Sequence, residues 1–130
     1  MEQARTRLAA ASRDSSLALR RVERQQVLVE ALHAARGRRL LLATLAQDLR
    51  VSPRTLARDV ERLRTSGVPI ATHRGRGGGV SLPSTGSLQP IAFDASEAAA
   101  LVASLTTLGP TVSGSATSAL QKLVAALQAP

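Results

Sequence analysis

The clearest structural signal in this sequence is a helix start at Ser52 and Pro53. A serine side chain can accept a hydrogen bond from a free N–H of the first helical turn, and a proline at the first helical position has no N–H that needs a partner. Gly67 is placed to end the same helix, so we predict a helix over about 53–65. A helix this short is stabilised mainly by packing, so neighbouring elements must cover its apolar face.

This helix has one apolar face and one cationic face. Its apolar residues fall within about 60° of one another at 100° per residue; they are Leu56, Val60 and Leu63. The other side carries four polar or cationic residues: Arg54, Thr55, Arg58 and Arg62. We expect Asp59 to pair with Arg62 at i,i+3, and Glu61 to pair with Arg54 or Arg58. The cationic face could be an ordinary solvated helix face instead of a binding surface. The elements that surround this helix in the sequence decide between these two interpretations.

Two further helices are predicted before this one. Leucine and valine recur at helical spacing over about 17–35, and Gly37 is placed to end that helix. A shorter helix is expected over about 42–49, after a connector at 38–41 that has the character of a brief strand. Residues 1–16 lack a clear periodicity, so we predict a flexible or partly helical N-terminal tail there.

A hairpin with a glycine-rich tip is predicted after the third helix. Residues 68–72 and 80–82 have the composition of strands, and four glycines lie between them. Three helices, with a tight turn before the last, followed by such a hairpin describe a winged helix-turn-helix in which the hairpin is the wing. We assign this domain to residues 17–82.

The rest of the chain reads as a linker over 83–94 and a C-terminal helical segment over 95–130. Asp94 and Glu97 have the spacing of a capping box at the start of a helix. The predicted fold class is therefore mainly α with a small β-hairpin wing: a winged helix-turn-helix plus a C-terminal helical pair.

The helices of that pair, over about 95–108 and 115–127, are rich in alanine and leucine. Two such helices cannot bury all their apolar residues against each other alone. We expect residues 95–127 either to fold back on the first helix or to pair with a second copy of the chain. A homodimer would suit a helix-turn-helix protein, because dimers are the usual way in which such proteins gain a long enough binding site.

The positive charge is concentrated in one part of the chain. Residues 1–80 hold sixteen arginines against seven acids, whereas residues 81–130 hold one lysine against two acids. Arginine forms forked hydrogen bonds to phosphate and to guanine more readily than lysine does. A basic part joined to a nearly neutral part indicates a module that binds a polyanion, attached to a segment that does not.

The composition excludes several classes of function. The chain has no cysteine, so disulfides, thiolate nucleophiles and zinc ribbons are excluded. His33 and His73 are the only histidines, too few for a multi-histidine metal site, and no serine has a histidine and an acid at motif spacing. No apolar run approaches the roughly 20 residues of a membrane span, and no secretory signal is visible. We predict a cytoplasmic, non-enzymatic bacterial protein without a cofactor.

These observations predict binding to double-stranded DNA for transcriptional regulation. The major groove admits one α-helix, and arginine can bind the O6/N7 edge of guanine through two hydrogen bonds. The Ser52 hydroxyl and the N-terminal amides of the third helix can contact a phosphate. Arginines of the wing can reach phosphates or the minor groove. The predicted DNA-binding residues are Ser52, Arg54, Thr55, Arg58, Arg62, Arg74 and Arg76.

Two other functions fit parts of the sequence. An arginine-coated helical adaptor would bind an acidic protein tightly, and DNA weakly and without sequence preference. The Gly-Arg tip of the hairpin would suit single-stranded RNA, although the tip is short and has no aromatic residue on which bases could stack. The tip is not a phosphate-binding P-loop, because no Gly-Lys-Ser/Thr follows it.

One long stretch also resembles a known family. Residues 45–70 read LAQDLRVSPRTLARDVERLRTSGVPI, and this series is similar to the DeoR-type winged helix-turn-helix of WYL-domain transcriptional regulators. The resemblance implies a DNA-binding regulator, with Arg54, Thr55 and Arg58 in the recognition helix. It also implies that Arg74 and Arg76 lie in the wing. A weaker resemblance extends over 91–127, whose start looks like the connector of such regulators.

The sequence departs from that family in four places. Such regulators usually have glycine where this chain has Arg50, and a capping threonine near Leu41. Their wing often closes with Gly-Tyr-Arg-Leu, whereas residues 79–82 read Gly-Val-Ser-Leu. The chain ends at Pro130, where the WYL domain would be expected to begin, so we expect that domain to be absent and do not carry over its effector sensing.

Overall fold

Helices form most of the structure. The computed structural model describes residues 2–75, 78–83, 86–107 and 113–130, without the side chains of 8–15. The elements, in chain order, are α1 (Glu2–Ala34), α2 (Leu42–Asp48), α3 (Pro53–Thr65), β1 (Ala71–His73), β2 (Gly79–Ser81), α4 (Ala95–Thr107) and α5 (Gly114–Gln128). The predicted fold class, mainly helical with a small hairpin after the third helix, is confirmed. Within these ranges, no helix combines the length and apolarity that crossing a membrane requires.

The first helix is longer than predicted. It begins at Glu2 rather than near residue 17, so the backbone is helical through the segment predicted as a flexible or partly helical tail. Alanine, leucine, arginine and glutamine are good helix formers, and neither glycine nor proline occurs before Gly37. Helix propensity therefore continues the helix where the apolar periodicity is weak. The boundaries of α2, α3 and α5 agree with prediction to within one residue.

One aliphatic core joins the first three helices to the hairpin. Leu28 and Leu32 of α1 and Leu56 of α3 are completely buried. The other buried members of this cluster are Leu45, Ala46, Val60, Ile70 and Val80. A fully buried aliphatic side chain contributes roughly 1.5–3 kcal/mol. These residues fix α3 against α1 and α2 through its leucine and valine side, as its pattern predicts.

The strands of the hairpin are shorter than predicted. They pair antiparallel over three residues each, with Ala71 opposite Ser81 and His73 opposite Gly79. Pro69 has no N–H to donate, and the N–H of Ile70 donates to the carbonyl of Val68 at 2.8 Å, so residues 68–70 form a tight turn rather than strand.

The connector before α2 contributes a third, single-residue strand position. Leu40 forms an isolated bridge with Val80. Its N–H donates to the Val80 carbonyl at 2.8 Å, and the Val80 N–H donates back at 2.9 Å. This bridge confirms the brief strand expected in the connector, and it attaches the hairpin to the start of the helix-turn-helix.

The start of α5 folds back on α1 through polar contacts. The Ser113 hydroxyl donates to Gln26 Oε1 at 3.0 Å, and the Ser115 N–H donates to Glu30 Oε1 at 2.7 Å. Hydrogen bonds from Ser115, through its side chain and its backbone N–H, lower the pKa of Glu30. A carboxyl group whose pKa is lowered by folding stabilises the folded state at pH values above its unfolded-state pKa, which is about 4.3 for glutamate. This stabilisation is lost as the pH falls through the folded-state pKa. The contact should therefore be fully formed at neutral pH.

Candidate nucleic-acid interface

The N-terminus of α3 is capped as its sequence predicts. Ser52 has an extended backbone, and its Oγ accepts a hydrogen bond from the Thr55 N–H at 3.1 Å, with Pro53 at the first helical position. The Ser52 hydroxyl itself donates to Thr55 Oγ1 at 3.0 Å. Pro53 has no N–H, and the Leu56 N–H donates to the Ser52 carbonyl at 3.1 Å. Among the residues of this first turn, the Arg54 N–H is therefore the amide left for a phosphate, and the Ser52 hydroxyl could join it only by breaking its hydrogen bond to Thr55.

The two faces of α3 differ sharply in exposure. Leu56 is 0% exposed and Val60 2% exposed, whereas Arg54 and Arg58 lie on the surface. Thr55 is half-buried beside them. Within the described part of the chain, neither Arg54 nor Arg58 forms an ion pair. Their guanidinium groups are accessible to a ligand while the rest of the helix is fixed in the core.

Asp59 lies on the buried side of α3 rather than on its surface. Its side chain is completely buried and accepts two hydrogen bonds from Arg24 of α1, one from Nε to Oδ2 and one from Nη2 to Oδ1 at 3.1 Å. Position 59 follows Leu56 by three residues and precedes Leu63 by four, so it shares the apolar side of the helix. Likewise, Arg24 precedes Leu28 by one helical turn. These two spacings are the sequence signals that would have located the pair.

The buried pair fixes the orientation of α3 about its own axis. The hydrogen bond with Asp59 and its negative charge raise the pKa of Arg24, against an opposing effect of burial, so Arg24 keeps its charge. Arg62 also approaches Asp59, with 3.7 Å between Nη1 and Oδ1. The predicted Asp59–Arg62 ion pair is thus confirmed, although this distance is too long for a hydrogen bond. The Arg62 side chain is 51% exposed and extends to the edge of the cationic face.

The other predicted ion pair is wrong. Glu61 does not pair with Arg54 or Arg58, since its Oε1 accepts a hydrogen bond from Arg64 Nη1 at 2.8 Å. Residues three apart on a helix are neighbours, and here the arginine on the C-terminal side is the one within reach. This pairing leaves the cations at the N-terminal end of α3 accessible.

The wing carries one cation that the structure describes. The Nε2 of His73 and the hydroxyl of Ser81 lie 3.0 Å apart, which links the two strands near the base of the wing. His73 is half-buried. Arg74 follows it on the surface. Arg76, the second wing residue predicted to bind DNA, lies outside the described residues.

Gly79 allows the wing to approach the connector closely. Its φ is +131°, and a Cβ at this position would lie 2.3 Å from the Leu40 carbonyl oxygen. We expect Gly79→Ala to lower the free energy of unfolding by about 2 kcal/mol, because both the backbone conformation and the contact exclude a side chain. Thermal unfolding would measure the loss.

Gly114→Ala is the matched control for that substitution. Gly114 begins α5, has no atom within 4 Å of an added Cβ and no positive φ. This variant should unfold at or slightly above the wild-type temperature, because alanine is the better helix former. If Gly79→Ala and Gly114→Ala had equal stability, this would contradict the close approach of Gly79 to the Leu40 carbonyl.

Comparison with known proteins agrees with this architecture. A family model described as "HTH domain" matches residues 24–80, which contain the second part of α1, α2, α3 and the hairpin. The fold of this region is a winged helix-turn-helix. The chain is also similar to the uncharacterized HTH-type transcriptional regulator YobV of Bacillus subtilis (strain 168), with 43% identity over 47 residues. That match covers 36% of this chain and 15% of YobV. No solved structure matches the chain.

Proposed function

We propose that this chain regulates transcription by binding double-stranded DNA, with α3 inserted into the major groove. The observation that carries the proposal is the exposure of Arg54 and Arg58 on a helix whose opposite side is buried, within a helix-turn-helix domain. The similarity to a regulator named as HTH-type supports the same role. Such a regulator would work in a bacterial cytoplasm.

Each predicted residue has a distinct part in this proposal. Arg54 and Arg58 would form hydrogen bonds with guanine edges in the major groove. Thr55 would contribute to the nearest contact with the DNA backbone. The Arg54 N–H and the Ser52 hydroxyl would bind a phosphate, which positions the helix without reading sequence. Arg62 is drawn towards Asp59 and would contact a phosphate only at the edge of the groove. Arg74 and Arg76 would bind phosphates or the minor groove beside the wing.

The finer assignment to the DeoR type follows from the residue series, and it is also a proposal. The series over residues 45–70 covers the second half of α2, all of α3 and the turn before β1. Leu41, where such regulators usually have a capping threonine nearby, makes no side-chain cap to α2. We therefore propose a DeoR-type domain of the kind found in WYL-domain regulators, with a modified start to α2.

We also propose that the C-terminal helices pair with those of a second copy. Ala98 is the only buried residue of α4, and α5 has none among its described residues. The linker and α4–α5 line a common groove and leave large apolar side chains exposed: Leu88, Ile91, Phe93, Leu101 and Leu127. Residues 81–130 contain one lysine and two acids, so two copies can meet there with little repulsion. Sedimentation should show a dimer, and a monomer at high micromolar concentration would contradict this pairing.

Selection of duplexes from a random pool by the purified protein tests the proposed function. We expect enrichment of a defined sequence, and an inverted repeat if the chain binds as a dimer, because symmetric half-sites mirror a two-fold protein. Absence of enrichment, with equal competition by any polyanion, would instead favour the arginine-rich adaptor. Preference for single-stranded RNA over duplex DNA would favour binding through the Gly-Arg tip.

A further inference from the structure

Two residues of α1 hold the start of α5. The Ser113 hydroxyl donates to Gln26 Oε1 at 3.0 Å, and the Ser115 N–H donates to Glu30 Oε1 at 2.7 Å. We call these two hydrogen bonds the α1–α5 contact. The Ser113 oxygen also accepts a hydrogen bond from the Ala116 N–H at 3.0 Å, as the cap residue of α5. A carboxylate 85 positions earlier in the chain therefore completes the capping of α5.

The α1–α5 contact is the directional link between the C-terminal helices and the helix-turn-helix. The aliphatic core that joins α1, α2, α3 and the hairpin contains no residue of α4 or α5 among those that the structure describes. Residues 86–94 of the linker are exposed and do not anchor the C-terminal helices in that core. Ser113, in contrast, is only 8% exposed, so water has little access to its hydrogen bond with Gln26.

The same part of α1 holds α3 by a second directional link. Arg24 donates two hydrogen bonds to the buried Asp59. Gln26 follows Arg24 by two residues, so at 100° per residue its side chain leaves α1 about 200° further round the helix. Residues 24–30 thus bind α3 on one side of α1 and α5 on the other. The direction of α5 relative to α3 is therefore set through one short helical segment.

We propose that Gln26 and Glu30 set the spacing between the two DNA half-sites that a dimer of this chain recognises. This inference rests on the proposed function, both the DNA binding of α3 and the pairing of α4 and α5 with a second copy. In such a dimer the two recognition helices are connected through α1 and α5 of each copy. A rigid connection prevents simultaneous binding to wrongly spaced half-sites, whereas a flexible one permits it. Gln26 and Glu30 act here as positioning residues that do not contact DNA.

Three variants separate this positioning role from a general effect on stability. Gln26→Ala combined with Glu30→Ala removes both acceptors of the α1–α5 contact, whereas Glu30→Gln keeps an acceptor oxygen at the same place. Glu23→Ala is the matched control, because Glu23 lies two turns before Glu30 on the same side of α1. It is exposed and has no hydrogen bond or ion pair within the ranges that the structure describes.

Affinity is measured for a single selected half-site and for pairs of half-sites at a series of separations. We expect the wild-type protein and Glu23→Ala to favour one separation about tenfold over a separation changed by roughly five base pairs, half a turn of DNA. The double variant should reduce this preference to less than about threefold, with unchanged affinity for a single half-site. Glu30→Gln should keep most of the preference. Unfolding would instead lower the affinity for every duplex, the single half-site included.

Residual dipolar couplings of the backbone amides provide a second measurement, without DNA. One alignment tensor should fit both α3 and α5 in the wild-type protein, and two should be needed in the double variant. A single tensor for the double variant, or an unchanged spacing preference, would overturn the inference. Equal wild-type affinity at all separations would also overturn it while leaving DNA binding intact. If the wild-type protein binds no duplex, the proposed function fails and the spacing inference fails with it.

Discussion

Replacing Arg24 with alanine is expected to lower the free energy of unfolding by about 3–5 kcal/mol, the usual cost of removing one partner from a buried ion pair. Asp59 is 0% exposed, and Arg24 supplies both of its side-chain hydrogen bonds from α1. Without the guanidinium group, a carboxylate would stay buried with Arg62 at 3.7 Å as its nearest cation. Chemical denaturation would measure the change, which should exceed that of any other arginine substitution proposed for this chain.

Two controls assign that loss to the pair. Arg20→Ala removes an exposed arginine one turn earlier on α1 and should change stability by less than about 0.5 kcal/mol. The double variant Arg24→Met with Asp59→Leu should recover most of the stability, because an apolar pair of similar volume avoids desolvation of both charges. A double variant as unstable as Arg24→Ala would show that the lost contacts are apolar rather than ionic.

Arg58→Ala is expected to weaken binding to the preferred duplex by about 1–3 kcal/mol, the range for one bidentate contact to a base. The side chain is exposed and unpaired among the described residues, so its removal should leave the melting temperature nearly unchanged. Affinity for unrelated duplexes should fall much less. Titration of the selected duplex and of a scrambled one would measure both effects.

The nature of the contact can be tested on the DNA as well. Replacing the contacted guanine by 7-deazaguanine removes the N7 acceptor and should lower wild-type affinity without further weakening Arg58→Ala. Arg64→Ala provides the control on the protein, because Arg64 lies on the same helix but pairs with Glu61. An equal loss on selected and scrambled duplexes would instead show that Arg58 contacts a phosphate.

The elements around α3 could be predicted because their signals are local. Ser52, Pro53 and Gly67 mark the two ends of α3 by backbone chemistry that acts within one turn. The leucine and valine spacing of that helix gives its buried side directly. For the same reason, the capping box at α4 is present as predicted, with reciprocal hydrogen bonds between Asp94 and Glu97.

The parts that could not be predicted depend on contacts between distant residues. Arg24 and Asp59 are 35 positions apart, and a charged residue on an apolar side is normally interpreted as exposed until its partner is known. The length of α1 was missed for another reason: its first half has helix-forming residues but a weak apolar pattern, and periodicity reports burial rather than helicity. The left-handed backbone of Arg36 (φ +51°) and of Arg50 (φ +56°) has no local signal either, since glycine is the residue usually found in that conformation after a helix.

Backbone amide chemical shifts of the labelled protein, recorded as the selected duplex is added, test the central claim most directly. We expect the largest changes at Ser52, Arg54, Thr55, Arg58 and Arg74, with small changes over α4 and α5. The leucine side of α3 should keep its shifts, because it stays in the core. Largest changes over α4 and α5, or none at residues 52–58 while the duplex is bound, would contradict the account.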